Sequence, residues 1–102
     1  MNDQTVKADA GKAKLSIAPI EQAWKAIAEV REWASTKYPD KNNWKQVEID
    51  RYYDALYRHI AATVTDRYSL DSESKIRHLK HALCNISFIL ELEAEQEKEE
   101  NR

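Results

Sequence analysis

One glycine and two prolines in 102 residues leave almost no material for tight reversals. Sheets and hairpins consume such residues at their turns, because glycine supplies left-handed backbone angles and proline a pre-set one. The fold expected is therefore all-α, made of a few long elements in a single domain. A domain this short buries only roughly 60–65% of the surface its unfolded chain exposes. Pairing with further copies would complete a helical bundle, so a homo-oligomer is expected.

Apolar spacing places three main helices. Residues 1–18 begin with a polar stretch, Lys7-Ala8-Asp9-Ala10-Gly11-Lys12, that lacks periodicity and reads as an extended N-terminal arm. Pro19 suits a first helical turn, and Ile20, Ala23, Trp24, Ile27, Val30 and Ala34 then recur at helical spacing up to about Tyr38. A turn cluster, Pro39 to Asn43, follows, with Trp44 as an apolar anchor. The second helix runs from about Val47 to Thr65 on Ile49, Tyr52, Tyr53, Leu56, Ile60 and Val64. Asp71 or Ser72 is the N-cap signal of the third, with Glu73 in its first turn and a stripe of Ile76, Leu79, Leu83, Ile86, Ile89, Leu90 and Leu92. That helix should span roughly 20–25 residues and form an antiparallel hairpin with the second. Glutamates crowd the negative end of its dipole, so the helical domain is placed at 19–94 and a frayed acidic tail at 95–102.

A net charge of −2 argues against binding a nucleic-acid strand, which needs a basic face to displace condensed counterions. A mononucleotide is the better nucleic-acid-type partner. The single cysteine, Cys84, forms no internal disulfide and reads as a small core residue rather than a nucleophile. No apolar run is long enough for a membrane helix or a signal peptide, so a cytoplasmic protein without a membrane partner is expected.

All three histidines fall in one constellation, with Arg58-His59 on the second helix, then Asp71 and Glu73, then His78, His81 and Asn85. His78, His81 and Asn85 are three and four residues apart and share one side of the third helix, which a hairpin brings beside Arg58 and His59. Three readings stay open on residue types alone. Two imidazoles and a carboxylate suit zinc or a similar ion. Asp71-x-Glu73, or Glu29-x-x-Glu32, offers the oxygens that magnesium prefers. The set is also what a buried hydrogen-bond network would use, though it exceeds what a hairpin of this size needs.

An ordered series of motifs adds to this. Asp9 through Pro19, Lys37-Tyr38-Pro39 with Asn43-Trp44, Asp54 through His59, Asp71-Ser72-Glu73-Ser74, and His78-Leu79-x-His81-Ala82-x-x-Asn85 together resemble the N-terminal domain family of phage dATP/dGTP diphosphohydrolases. The resemblance covers the chain from Asp9 to about Glu93. It implies an all-α domain that handles purine nucleotides, and kinship with oligomeric helical pyrophosphohydrolases. It also carries over Arg58, His59, Asp71, Glu73, His78, His81 and Asn85 as site residues, with Lys37, Asn43 and Trp44 as a second cluster.

On that basis His59, His78 and His81 are the candidate catalytic residues. Lys37, Asn43, Trp44, Arg58 and Asn85 are the candidate nucleotide-binding residues, and Asp71 and Glu73 the candidate ligands of a magnesium cofactor. Hydrolysis of dATP or dGTP to monophosphate and pyrophosphate is the first expectation. A non-catalytic protein that sequesters a purine nucleotide, such as a cyclic signalling nucleotide, is the second. A helical oligomeric adaptor, its polar cluster an oligomer contact, is the third.

Overall fold

The computed structural model describes residues 11–100, and the first ten residues of the expected arm lie outside them. Among the described residues three α-helices dominate: α1 (Glu21–Ser35), α2 (Ile49–Thr65) and α3 (His78–Glu100). Two short 3₁₀ turns, Leu15–Ile17 and Asn43–Gln46, lie in the leading and connecting segments, and the described residues hold no β-strand beyond one isolated bridge. The all-α expectation holds.

Helix α1 stops three residues before the expected end. The Ser35 and Thr36 hydroxyls donate to the carbonyls of Glu32 and Trp33, diverting the last turn, and Tyr38 precedes a proline that disfavours helical backbone. Helix α2 begins at Ile49, because Glu48 is extended. The larger difference is at α3, which starts at His78 and not at Asp71. Asp71 caps a turn instead: its carboxylate accepts the backbone N–H groups of Glu73 (3.1 Å) and Ser74 (2.8 Å). Lys75 then takes a left-handed φ of 62°, and Leu70 pairs with Arg77 in an antiparallel bridge. The same side chain that can cap a helix here closes a loop, and the bridge consumes the segment that would have been the first turn. Helical backbone continues through the acidic run to Glu100.

Helices α2 and α3 form the antiparallel hairpin. Tyr53 reaches Glu93 at one end (3.0 Å), while His59 meets His78 at the other (2.8 Å). Helix α1 packs on α3, where Lys80 pairs with Glu29 at 2.8 Å and the edge of Trp33 meets His81. Between them Val30, Ile76 and Cys84 make a small buried core, flanked by Ile27, Trp33 and Phe88. Burial pushes the Cys84 thiol up to about 11, as expected of a core thiol and not of a nucleophile. No residue of α2 is buried, and its Tyr57, Ile60 and Val64 stay exposed, Val64 by 81%.

Candidate functional site

The bridge loop assembles a histidine cluster. Asp71 N–H donates to the Ile76 carbonyl (2.8 Å) and His78 N–H to the Ser69 carbonyl (3.1 Å), so the bridge fixes Asp71 beside the first residue of α3. Across the hairpin, His59 Nδ1 lies 2.8 Å from His78 Nδ1, and the His59 ring stacks on His81 with centroids 4.7 Å apart. One ligand atom from each of His59, Asp71 and His78 falls within 4.8 Å of the others. His81 is the buried member: its Nε2 is 2.7 Å from Ser74 Oγ, which also accepts the Ile76 N–H.

Electrostatics follow from this packing. Burial, reinforced by the neighbouring imidazoles of His81 and His78, holds His59 at about 4, so its ring is neutral at neutral pH. Burial also lowers His81, against the opposing pull of Asp71. Burial alone would raise Asp71, but the backbone N–H and hydroxyl of Ser74 outweigh it and hold the carboxyl below its ordinary value. The two Nδ1 atoms are 2.8 Å apart, so one ring is the donor and the other the acceptor.

Beside this cluster lies a cavity of about 560 Å³ between the α1 end, the connecting loop and the α2–α3 seam. Four cations line it, Arg31, Lys41, Arg51 and Arg58, against one acid, Asp40. Its aromatic lining is built on Phe88, which stacks on Trp44 at 4.9 Å and 14° and tilts against Tyr52 at 5.0 Å. Arg31 holds the loop by donating to the Lys41 carbonyl, and its guanidinium lies 5.3 Å over the Phe88 ring. Tyr52 donates to the Trp44 carbonyl at 2.8 Å, and burial raises its hydroxyl to about 12, so it remains a neutral donor. A concave site that sets an aromatic wall against convergent polar groups is a usual form of a small-molecule pocket.

The sequence model of the family described as dATP/dGTP diphosphohydrolase, N-terminal, matches residues 2–102. The chain belongs to that family. No curated protein and no solved structure compared with it matches. No helix among the described residues is long and apolar enough to cross a membrane.

Within this member of the diphosphohydrolase family the expected site residues divide between two neighbouring places. His59, His78, His81 and Asp71 gather in the cluster. Asn43, Trp44, Arg58 and Asn85 line the cavity, where Asn85 ties its amide to the His81 carbonyl at 2.9 Å. Two expected residues go elsewhere. Lys37 is bound to Glu73 at 2.6 Å, a contact that raises the lysine pKa, and it lies over the Trp33 ring. Glu73 is thereby engaged by Lys37, and the carboxylate that converges with His59 and His78 is that of Asp71. Glu29 is likewise held by Lys80. Sequence reading missed Arg31, Lys41, Arg51, Tyr52 and Phe88. A usable signal existed for two cations, because Arg51 and Arg58 are seven residues apart and share one face of α2.

Proposed function

We propose that this chain binds a purine deoxynucleoside triphosphate in the arginine-lined cavity and cleaves it to the monophosphate and pyrophosphate. The observation that carries the reading is the concentration of Arg31, Arg51, Arg58 and Lys41 with Trp44 and Phe88 in one cavity of nucleotide dimensions. Guanidinium groups bind phosphate oxygens in a bidentate manner, and an aromatic face stacks on a base. The family supplies the purine specificity and the bond that breaks. Asn43 and Asn85 offer amide groups to the base or sugar.

Water attacks the α-phosphorus, the bond from that phosphorus to the bridging oxygen breaks, and pyrophosphate leaves with the negative charge stabilised by the arginines. His59, His78 and His81 with Asp71 orient the water and take its proton: burial holds His59 neutral, His59 follows the cavity residue Arg58, and His81 lies one turn from the cavity residue Asn85. The cluster is a poor match for magnesium, which prefers oxygen ligands in near-octahedral geometry and here meets one carboxylate beside two imidazole nitrogens, so no step is routed through it.

The excess of cations over acids in the cavity also favours a second reading, in which the nucleotide is gripped and kept. Such a protein would act in the cytoplasm of an infected cell and sequester a linear or cyclic purine nucleotide. Incubating the purified protein with dATP and dGTP and separating the products by ion exchange distinguishes the two. Stoichiometric pyrophosphate supports hydrolysis, and tight calorimetric binding without product supports sequestration. No binding tighter than about 1 mM to any purine nucleotide removes both.

A further inference from the structure

We propose that His59, Asp71 and His78 form a binding site for one first-row transition ion of the zinc or cobalt class. The inference stands on the cluster's own geometry, whether or not the neighbouring cavity takes a nucleotide. Three facts carry it. The three ligand atoms already lie within 4.8 Å of one another, although they come from α2, the bridge loop and the start of α3. The two Nδ1 atoms point at each other across 2.8 Å. Asp71 is fixed independently by two backbone N–H groups and by the bridge.

The fit is close. Imidazole nitrogens roughly 2.0–2.1 Å from a tetrahedral ion lie about 3.4 Å apart, so admitting the ion asks the rings to separate by roughly half an ångström. The ring that carries its proton on Nδ1 moves it to Nε2, and both Nδ1 lone pairs then face the ion. Two imidazoles and one carboxylate are ligands for the borderline divalent ions and leave positions open for water. The support around them is of the kind metal sites use: hydrogen bonds that orient the carboxylate, and Ser74 tying Asp71's turn to the buried His81. His81 itself stays outside the ligand set, with its Nε2 on Ser74, so with the ion bound it is the imidazole left to take a proton from water.

Calorimetry of the chelator-treated full chain with zinc chloride should give one ion per chain, and cobalt should give visible bands of low-coordinate geometry. Excess magnesium should not displace either ion. Asp71→Asn, His59→Gln and His78→Gln should each weaken zinc binding by at least about a hundredfold, the upper range for loss of a supporting group. Glu73→Gln should leave the affinity within about twofold. Circular dichroism checks that each variant is folded, and His78→Asn serves if the glutamine variant is not. The proposal fails if no zinc or cobalt binds more tightly than about 100 μM. It fails equally if binding survives the folded His59 and His78 variants, if magnesium competes at equal concentration, or if Glu73→Gln costs as much as Asp71→Asn.

Discussion

Replacing Ser74 with alanine tests whether the histidine cluster is a satisfied network. The Ser74 hydroxyl lies 2.7 Å from His81 Nε2 and accepts the Ile76 N–H at 3.1 Å. His81 is only 6% exposed, so an orphaned Nε2 has little access to water. A buried polar group left without its partner costs about 1–3 kcal/mol, and the lost Ile76 contact adds up to about 1 kcal/mol. Ser74 is half-buried, so a water replaces part of this, and the expected loss is roughly 2 kcal/mol. For a domain of this size that lowers Tm by about 10 °C. The assay is urea unfolding followed by circular dichroism, with m compared between variants to show that the transition is unchanged in kind. Ser74→Thr, which keeps the hydroxyl, should recover most of the loss. Ser87→Ala is the control, because its hydroxyl only doubles a bond to the Cys84 carbonyl within α3, and it should cost less than about 0.5 kcal/mol. A Ser74→Ala loss as small as the control's would refute the network.

Other consequences are open to measurement. Arg58→Ala should weaken dATP binding about ten- to hundredfold by calorimetry, the worth of one charge-assisted contact, and unchanged affinity would remove Arg58 from the phosphate grip. Cys84 is raised by burial to about 11, whereas an unfolded thiol ionises near 9. The unfolded state therefore loses its proton first, and stability should be intact below pH 9 and fall by roughly 2 kcal/mol towards pH 11. A Cys84→Ala variant with the same alkaline slope would contradict that. Self-association through the exposed Tyr57, Ile60 and Val64 face is expected from the small core. Sedimentation should give more than the monomer mass, reduced by Val64→Lys at unchanged helicity, and a wild-type monomer at about 100 μM would refute it.

The helices were legible because burial imposes a period of three and four on apolar residues, as Ile27 and Val30 of α1 show, although Leu79, Ile86 and Leu90 of the expected α3 stripe are exposed. The start of α3 was not, because Asp71 satisfies a backbone N–H equally well in a helix cap and in a loop. What decides between them is the Leu70–Arg77 bridge, and the carboxylate's placement beside His59 depends on a residue twelve positions away on another helix. The cavity cations were hidden for a related reason. Arg31, Lys41 and Arg51 sit on three separate segments, and each alone looks like an ordinary solvated charge. Lys37 shows the converse: beside Tyr38 and Pro39 it looks poised for an anion, yet a carboxylate 36 residues away claims it.

The constellation read as one site is two compartments, and helix geometry explains why. Consecutive residues of an α-helix are turned about 100° from each other, so Arg58 and His59 cannot face the same wall. Arg58 faces the cavity and His59 the cluster. On α3, His81 and Asn85 share a face but are separated by a full turn, roughly 6 Å along the axis, which places one beside the other imidazoles and the other in the cavity wall. The grip on phosphate and the proton or metal chemistry are therefore built from neighbouring residues with separate surroundings. Neutralising Arg58 should weaken nucleotide binding while leaving zinc affinity within about twofold, since the ion's three ligands contact none of the cavity's anchoring bonds. Equal losses of both ligands in a folded Arg58→Ala protein would mean that the two compartments act as one.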